Sequence, residues 1–128
     1  MVNIIKQYYI CSKYNLMLEN NIGEFEELVL LTVAIMDGKA YGIAIIEELE
    51  KRTGRSAAIG AIQTVLKRME EKGWVVSEFG EATKERGGKR KRYYTITMSG
   101  HKVLSRSKDQ RNNLWDAMPK IVWNYGTV

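Results

Sequence analysis

The stretch 60–98, G-A-I-Q-T-V-L-K-R-M-E-E-K-G-W-V-V-S-E-F-G-E-A-T-K-E-R-G-G-K-R-K-R-Y-Y-T-I-T-M, decides the fold. Its first thirteen residues predict an amphipathic helix. Ile62, Val65, Leu66 and Met69 share one face, and at about 100° per residue Gly60, Gln63, Thr64, Lys67, Arg68 and Glu71 spread over the other. Gly73 stops that helix. Residues 74–79 and 92–98 read as two strands, the second alternating Tyr94, Ile96 and Met98 against Tyr93, Thr95 and Thr97. Between them, residues 80–91 form a polar, glycine-bearing loop. From Lys84 to Arg92 six cations (Lys84, Arg86, Lys89, Arg90, Lys91, Arg92) stand against one acid, Glu85. Helix, strand, basic loop, strand is the order of a winged helix, in which the helix enters a DNA groove and the loop lies along the backbone.

Upstream, residues 41–52 predict a second helix with Tyr41, Ile45, Ile46 and Leu49 as its inner stripe and Thr53-Gly54 as its stop. The turn to the third helix is short and contains Gly54, as a helix-turn-helix requires. Residues 24–36 predict the first helix, with acids in its first turn that complement the helix dipole. Its expected inner stripe is Phe25, Leu28, Leu31 and Ile35, widened by Val29, Leu30, Val33 and Met36 until nearly the whole helix is buried. Thr32 is the one polar residue from Leu28 to Met36, and its hydroxyl can bond a carbonyl of the preceding turn. Asp37-Gly38 ends that helix.

Downstream, Ser99 offers an N-cap for a fourth helix from Gly100 to about Met118, stopping before Pro119. Its apolar residues are few, and its middle, residues 105–113 (S-R-S-K-D-Q-R-N-N), is too polar for a core. Residues 1–22 read as an arm, in which Ile4, Ile5, Tyr8, Tyr9 and Leu16 could share one face of a short helix. The expected fold class is mostly α with a small β wing: a winged helix-turn-helix with an added C-terminal dimerisation helix. The expected division is an N-terminal arm at 1–22, a winged-helix DNA-binding domain at 23–98 and a C-terminal dimerisation helix and tail at 99–128.

Composition narrows the function. The chain has 128 residues, 45% of them hydrophobic, which is enough for one modest core, and a net charge of +5. Residues 24–50 carry one Lys and seven acids, so the positive charge is concentrated in the hairpin. That favours a polyanionic partner, double-stranded DNA. A single cysteine, Cys11, fits a reducing compartment, and no run approaches the ~18 apolar residues that span a bilayer, so a cytoplasmic protein is expected. One histidine (His101), one cysteine, and no P-loop or G-x-S-x-G pattern argue against an enzyme, and neither a cofactor nor a metal is expected.

The candidate DNA-binding residues follow from these roles. Gly60 and Ala61 permit close approach. Gln63 can pair with adenine through two hydrogen bonds, and Thr64 can bond a base or touch a thymine methyl. Lys67 and Arg68 can reach phosphate or guanine. Lys89, Arg90, Lys91 and Arg92 can follow the phosphate backbone, and Tyr93 can offer its hydroxyl to it. Leu114, Trp115, Met118 and Trp123 are the candidate dimer or effector contacts: terminal helices of two subunits would bury them, or the tryptophans would wall a flat ligand. A winged helix that binds protein and has lost DNA is the alternative, and the cationic wing argues against it.

Four segments also carry a family likeness. G-E-F-E-E-L-V-L-L-T-V-A-I (23–35), A-Y-G-I-A-I (40–45), I-G-A-I-Q-T-V-L-K-R-M-E-E-K-G-W-V (59–75) and G-G-K-R-K-R-Y-Y-T-I-T-M-S-G-H-K-V-L (87–104) resemble PadR-type transcriptional regulators in order and spacing. The resemblance covers about residues 22–105. It implies a homodimeric winged-helix regulator, usually a repressor, on a near-palindromic operator, with a terminal helix making much of the dimer interface. Some such proteins respond to phenolic or drug-like aromatic compounds, so a small aromatic effector is implied. Gln63-Thr64 stand where many members have Tyr-Pro, and contacts made by that tyrosine do not carry over. The tail from Ser105 transfers no ligand-binding residue.

Overall fold

The computed structural model describes residues 21–82 and 90–119. Six elements follow one another: α1 (Glu24–Met36), α2 (Gly42–Thr53), α3 (Ile59–Glu71), β1 (Val75–Ala82), β2 (Arg90–Ile96) and α4 (Met98–Asp116). The order is the predicted one, mostly helical with a single two-stranded antiparallel sheet. The proposed helical face of residues 1–22, Cys11, Lys84 to Lys89, and the tail with Trp123 lie outside the described residues.

The three N-terminal helices pack around Leu30, Val33, Ile45, Leu49, Ile62, Leu66 and Met69, each at most 1% exposed. Trp74 and Val75 from the root of the hairpin, with Val103 and Leu104 from α4, close that core. Truncating one of the enclosed leucines to alanine in such a core costs about 2–5 kcal/mol, because the cavity relaxes only in part.

Helix α1 presents a different face from the predicted one. Val29, Leu30 and Val33 are buried, whereas Leu31 and Ile35 are 41% and 50% exposed. With Thr32 the only polar residue between Leu28 and Met36, hydrophobic periodicity could not select a face, and the neighbouring helices select it instead. Thr32 is buried and its hydroxyl donates to the Leu28 carbonyl at 2.7 Å, as expected.

Helix α4 corrects one further expectation. It starts at Met98, and its cap is Thr97 rather than Ser99: the Thr97 Oγ1 accepts from the Gly100 amide at 3.1 Å and donates to the Gly73 carbonyl at 2.6 Å. Its polar middle also docks. The buried Glu27 carboxylate of α1 accepts from the Ser107 hydroxyl at 2.9 Å and from the Arg111 guanidinium at 2.8 Å. Residues too polar for an apolar core are thus held against α1 by a carboxylate that burial leaves in need of partners.

The hairpin is fixed at its root. Lys72 caps α3, and the amides of Gly73 (φ +79°) and Trp74 donate back to Glu70 and Met69 at 3.0 and 2.9 Å, a Schellman closure. The chain enters β1 directly. Val75 pairs with Ile96, Ser77 with Tyr94 and Phe79 with Arg92, and a bulge lies between Phe79 and Ala82. The Tyr94 amide donates to the Ala40 carbonyl at 2.8 Å, which ties the sheet to the α1–α2 connection. Both strands run further toward the loop than predicted, so Arg90 and Lys91 are strand residues and not loop residues.

Candidate nucleic-acid interface

The outer face of α3 is as the periodicity arranges it: Gly60, Ala61, Gln63, Thr64, Lys67 and Arg68 are all exposed. Between this face and the sheet runs a groove of about 690 Å³, to which α3 contributes Gln63 and Lys67 and β2 contributes Arg90, Arg92 and Tyr94. One concavity therefore combines an amide able to read a base edge with cations able to hold a phosphate backbone. Thr64 is partly committed, since its hydroxyl donates to the Gly60 carbonyl at 2.8 Å. Its methyl group and its oxygen lone pairs remain for a partner.

The cations divide into two classes. Among the described residues Lys67 and Arg90 enter no ion pair. Lys91 places its ammonium 4.5 Å from the centre of the Tyr41 ring, a cation–π contact that leaves its charge uncancelled. By contrast Arg68 lies 3.5 Å from Glu26 of α1. Arg92 donates to Ser77 Oγ at 2.8 Å and to the Glu70 carboxylate at 3.2 and 3.3 Å, and Ser77 donates to that carboxylate at 2.7 Å. The Arg92 guanidinium also lies 5.3 Å from the Phe79 ring centre and 5.9 Å from that of Tyr94. Arg92 thus braces the sheet against α3.

The two tyrosines take opposite faces, as alternation requires. Tyr93 meets Tyr41 edge-on, with ring centroids 5.8 Å apart and planes at 77°. Tyr94 packs against the core and lines the groove. Burial raises its phenol above the usual tyrosine value, Glu70 adding to the shift and Arg92 opposing it, so it stays a neutral hydroxyl at physiological pH. The groove also holds Ile43, Ile59 and Glu70, which the sequence reading had not singled out for function. Ile59 stands one helical turn before Gln63, and that spacing is the signal that marks it.

At the other end of the molecule Leu114 and Trp115 are 73% and 54% exposed in the last turns of α4, and Met118 is half-buried just beyond the helix. A second groove of about 530 Å³ runs between α1 and α4, with Leu31, Leu104, Lys108, Arg111 and Trp115 on its walls. Among the described residues no group of three or more His, Cys, Asp or Glu side chains could hold a metal ion, and no helix is long and apolar enough to cross a membrane.

The transcriptional regulator PadR-like family matches residues 30–106, more than half of the chain. Among solved structures, the chain is similar to a PadR family transcription regulator from Clostridium difficile R20291, at 24% identity and TM-score 0.62 over 78% of this chain and 99% of that one. It is similar to a PadR family transcriptional regulator from Eggerthella lenta DSM 2243, at 26% identity and TM-score 0.60 over 92% and 96%. A PadR-like transcription factor from Bacteroides fragilis shares the fold at 21% identity and TM-score 0.64, over 82% and 93%. No curated protein matches the chain. Such proteins are regulators and not enzymes, and the winged helix with its appended α4 is their architecture. The chain belongs to the PadR-like family of transcriptional regulators and is a DNA-binding protein of that family.

Proposed function

We propose that the protein is a sequence-specific regulator that binds a near-palindromic operator as a homodimer, represses by occupying it, and is released by a small aromatic effector. The observation that carries this reading is the shared groove: Gln63 and Lys67 on α3 face Arg90 on β2 across it. With α3 in the major groove, the amide would meet base edges while the strand cations meet phosphates. The exposed apolar side chains Leu31, Ile35 and Leu114 support a second copy against α1 and α4, and two copies would present two reading helices to two half-sites. The groove beside Trp115 is the place for a flat aromatic molecule. This reading includes a cytoplasmic location, where the regulator would meet its operator.

Fluorescence anisotropy tests this reading, using duplex DNA from the region upstream of the protein's own gene against a scrambled duplex. At about 150 mM salt non-specific binding is weak. We expect at least tenfold preference for the native duplex. Equal binding to the two, and to every other segment of the same genomic region, overturns sequence-specific recognition.

A further inference from the structure

We infer that Ile43 and Ile59 form an apolar reading surface for thymine methyl groups, an inference that rests on the operator-binding reading above. The two side chains come from different helices, the first turn of α2 and the first residue of α3, and are 47% and 42% exposed. Both line the groove between α3 and the sheet, beside Gln63 and Lys67 and facing Arg90. Ile59 and Gln63 are one turn apart, so a helix presented to DNA by Gln63 also presents Ile59.

The local chain is arranged to bring them together. Gly42 has no side chain where Ile59 lies across the start of α2: a Cβ there would stand 2.8 Å from the Ile59 Cδ1. Ile59 can therefore lie over the start of α2, whose second residue is Ile43, and both side chains line the same groove.

The chemistry selects one occupant. Cations beside the patch favour a polyanion, and the chain belongs to a DNA-binding regulator family. On the floor of the major groove the apolar group that distinguishes one base pair from another is the thymine 5-methyl. Two isoleucines on one groove offer such a methyl an apolar surface with no polar group to desolvate. Gln63, one turn further along α3, is then free to read an adjacent adenine, so the groove as a whole favours A·T steps.

The test separates this inference from the reading beneath it. Wild-type protein is used to select duplexes from a random pool, and each thymine of the enriched site is then replaced singly by deoxyuridine, which removes only the methyl. We expect an enriched site containing thymines, and about a fourfold loss of affinity at one or two of them, the value of one buried methyl group. Ile59→Ser and Ile43→Ser, both at partly exposed positions, should bind thymine and deoxyuridine duplexes alike at those positions, with unchanged melting of the free protein. Indifference of the wild type to every deoxyuridine overturns the inference while leaving sequence recognition intact. Full methyl sensitivity in both serine variants overturns it too. A pool that gains no preferred sequence removes the operator reading and the inference with it.

Discussion

The groove beside α3 and the seam between α1 and α4 are built from the same residue types and use them in opposite ways. At the seam Arg111 meets a carboxylate, Glu27, that is 9% exposed in its side chain, and Ser107 fills a further acceptor site. Charge there is cancelled and serves to fasten one helix on another. In the groove Lys67 and Arg90 meet no acid among the described residues, and outside it Lys91 of the same strand rests on the Tyr41 ring. Charge there is left available. Arg92, which lines the groove, and Arg68, on the exposed face of α3, stand between these cases, partnered by Glu70 and Glu26. A net positive charge therefore says little about a partner until the cations already answered by acids have been set aside.

The largest expected effect comes from stripping cations from the hairpin. Replacing Lys89, Arg90 and Lys91 together by alanine should weaken duplex binding on the order of a hundredfold at 150 mM salt, and should lower the salt slope of log affinity by about 2–3. Titrations at several salt concentrations measure both quantities. An unchanged slope would remove these three residues from the backbone contacts.

The seam predicts a loss of stability in place of a loss of affinity. Arg111→Ala leaves a buried carboxylate with only Ser107 to answer it. Breaking a fully buried pair costs about 3–5 kcal/mol, and because the Arg111 side chain is 55% exposed we expect about 1–2 kcal/mol here. Urea denaturation gives the value. Adding Glu27→Gln to Arg111→Ala should restore part of it, since the orphaned charge is then gone. If the double variant simply sums the two single losses, the pair does not fasten the helices.

Glu70→Gln probes the intermediate class and should have the smallest effect. Removing the acid converts Arg92 from a committed cation to an available one and takes a negative charge from the groove. Non-specific duplex affinity should rise a few-fold, and the salt slope should steepen by about one. Reduced affinity would mean that bracing of the sheet by Glu70 outweighs its charge.

Element order and the ends of the first three helices were legible in the sequence because those junctions carry their own chemistry: Asp37-Gly38, Gly54 and Gly73 sit at the helix ends that they predict. The outer face of α3 was legible because its polar and apolar residues separate cleanly. Other features were not. The inward face of α1 depends on neighbours, since nearly every position from Leu28 to Met36 is apolar. The docking of α4 depends on a carboxylate eighty residues away in sequence from Ser107. The division of cations into available and committed depends on Glu26 and Glu70, which local pattern cannot pair with Arg68 and Arg92. Ile43 and Ile59 carry little signal in the sequence alone, because an exposed isoleucine acquires meaning from what stands beside it.

The junction of α3, the hairpin and α4 has a mechanical consequence. The Thr97 amide donates to the Trp74 carbonyl at 2.9 Å, its hydroxyl holds Gly73, and a Cβ on Gly100 would collide with that same Trp74 carbonyl. The first turn of α4 is thus seated on the main chain at the foot of α3, with no compliant loop between them. Helix α4 runs 19 residues from that foot, about 28 Å, and Ser107 and Arg111 fasten it to Glu27 of α1 partway along. The foot of the reading helix and the surface near Trp115 are thus two ends of one continuous helix that is fixed to the rest of the molecule at two places.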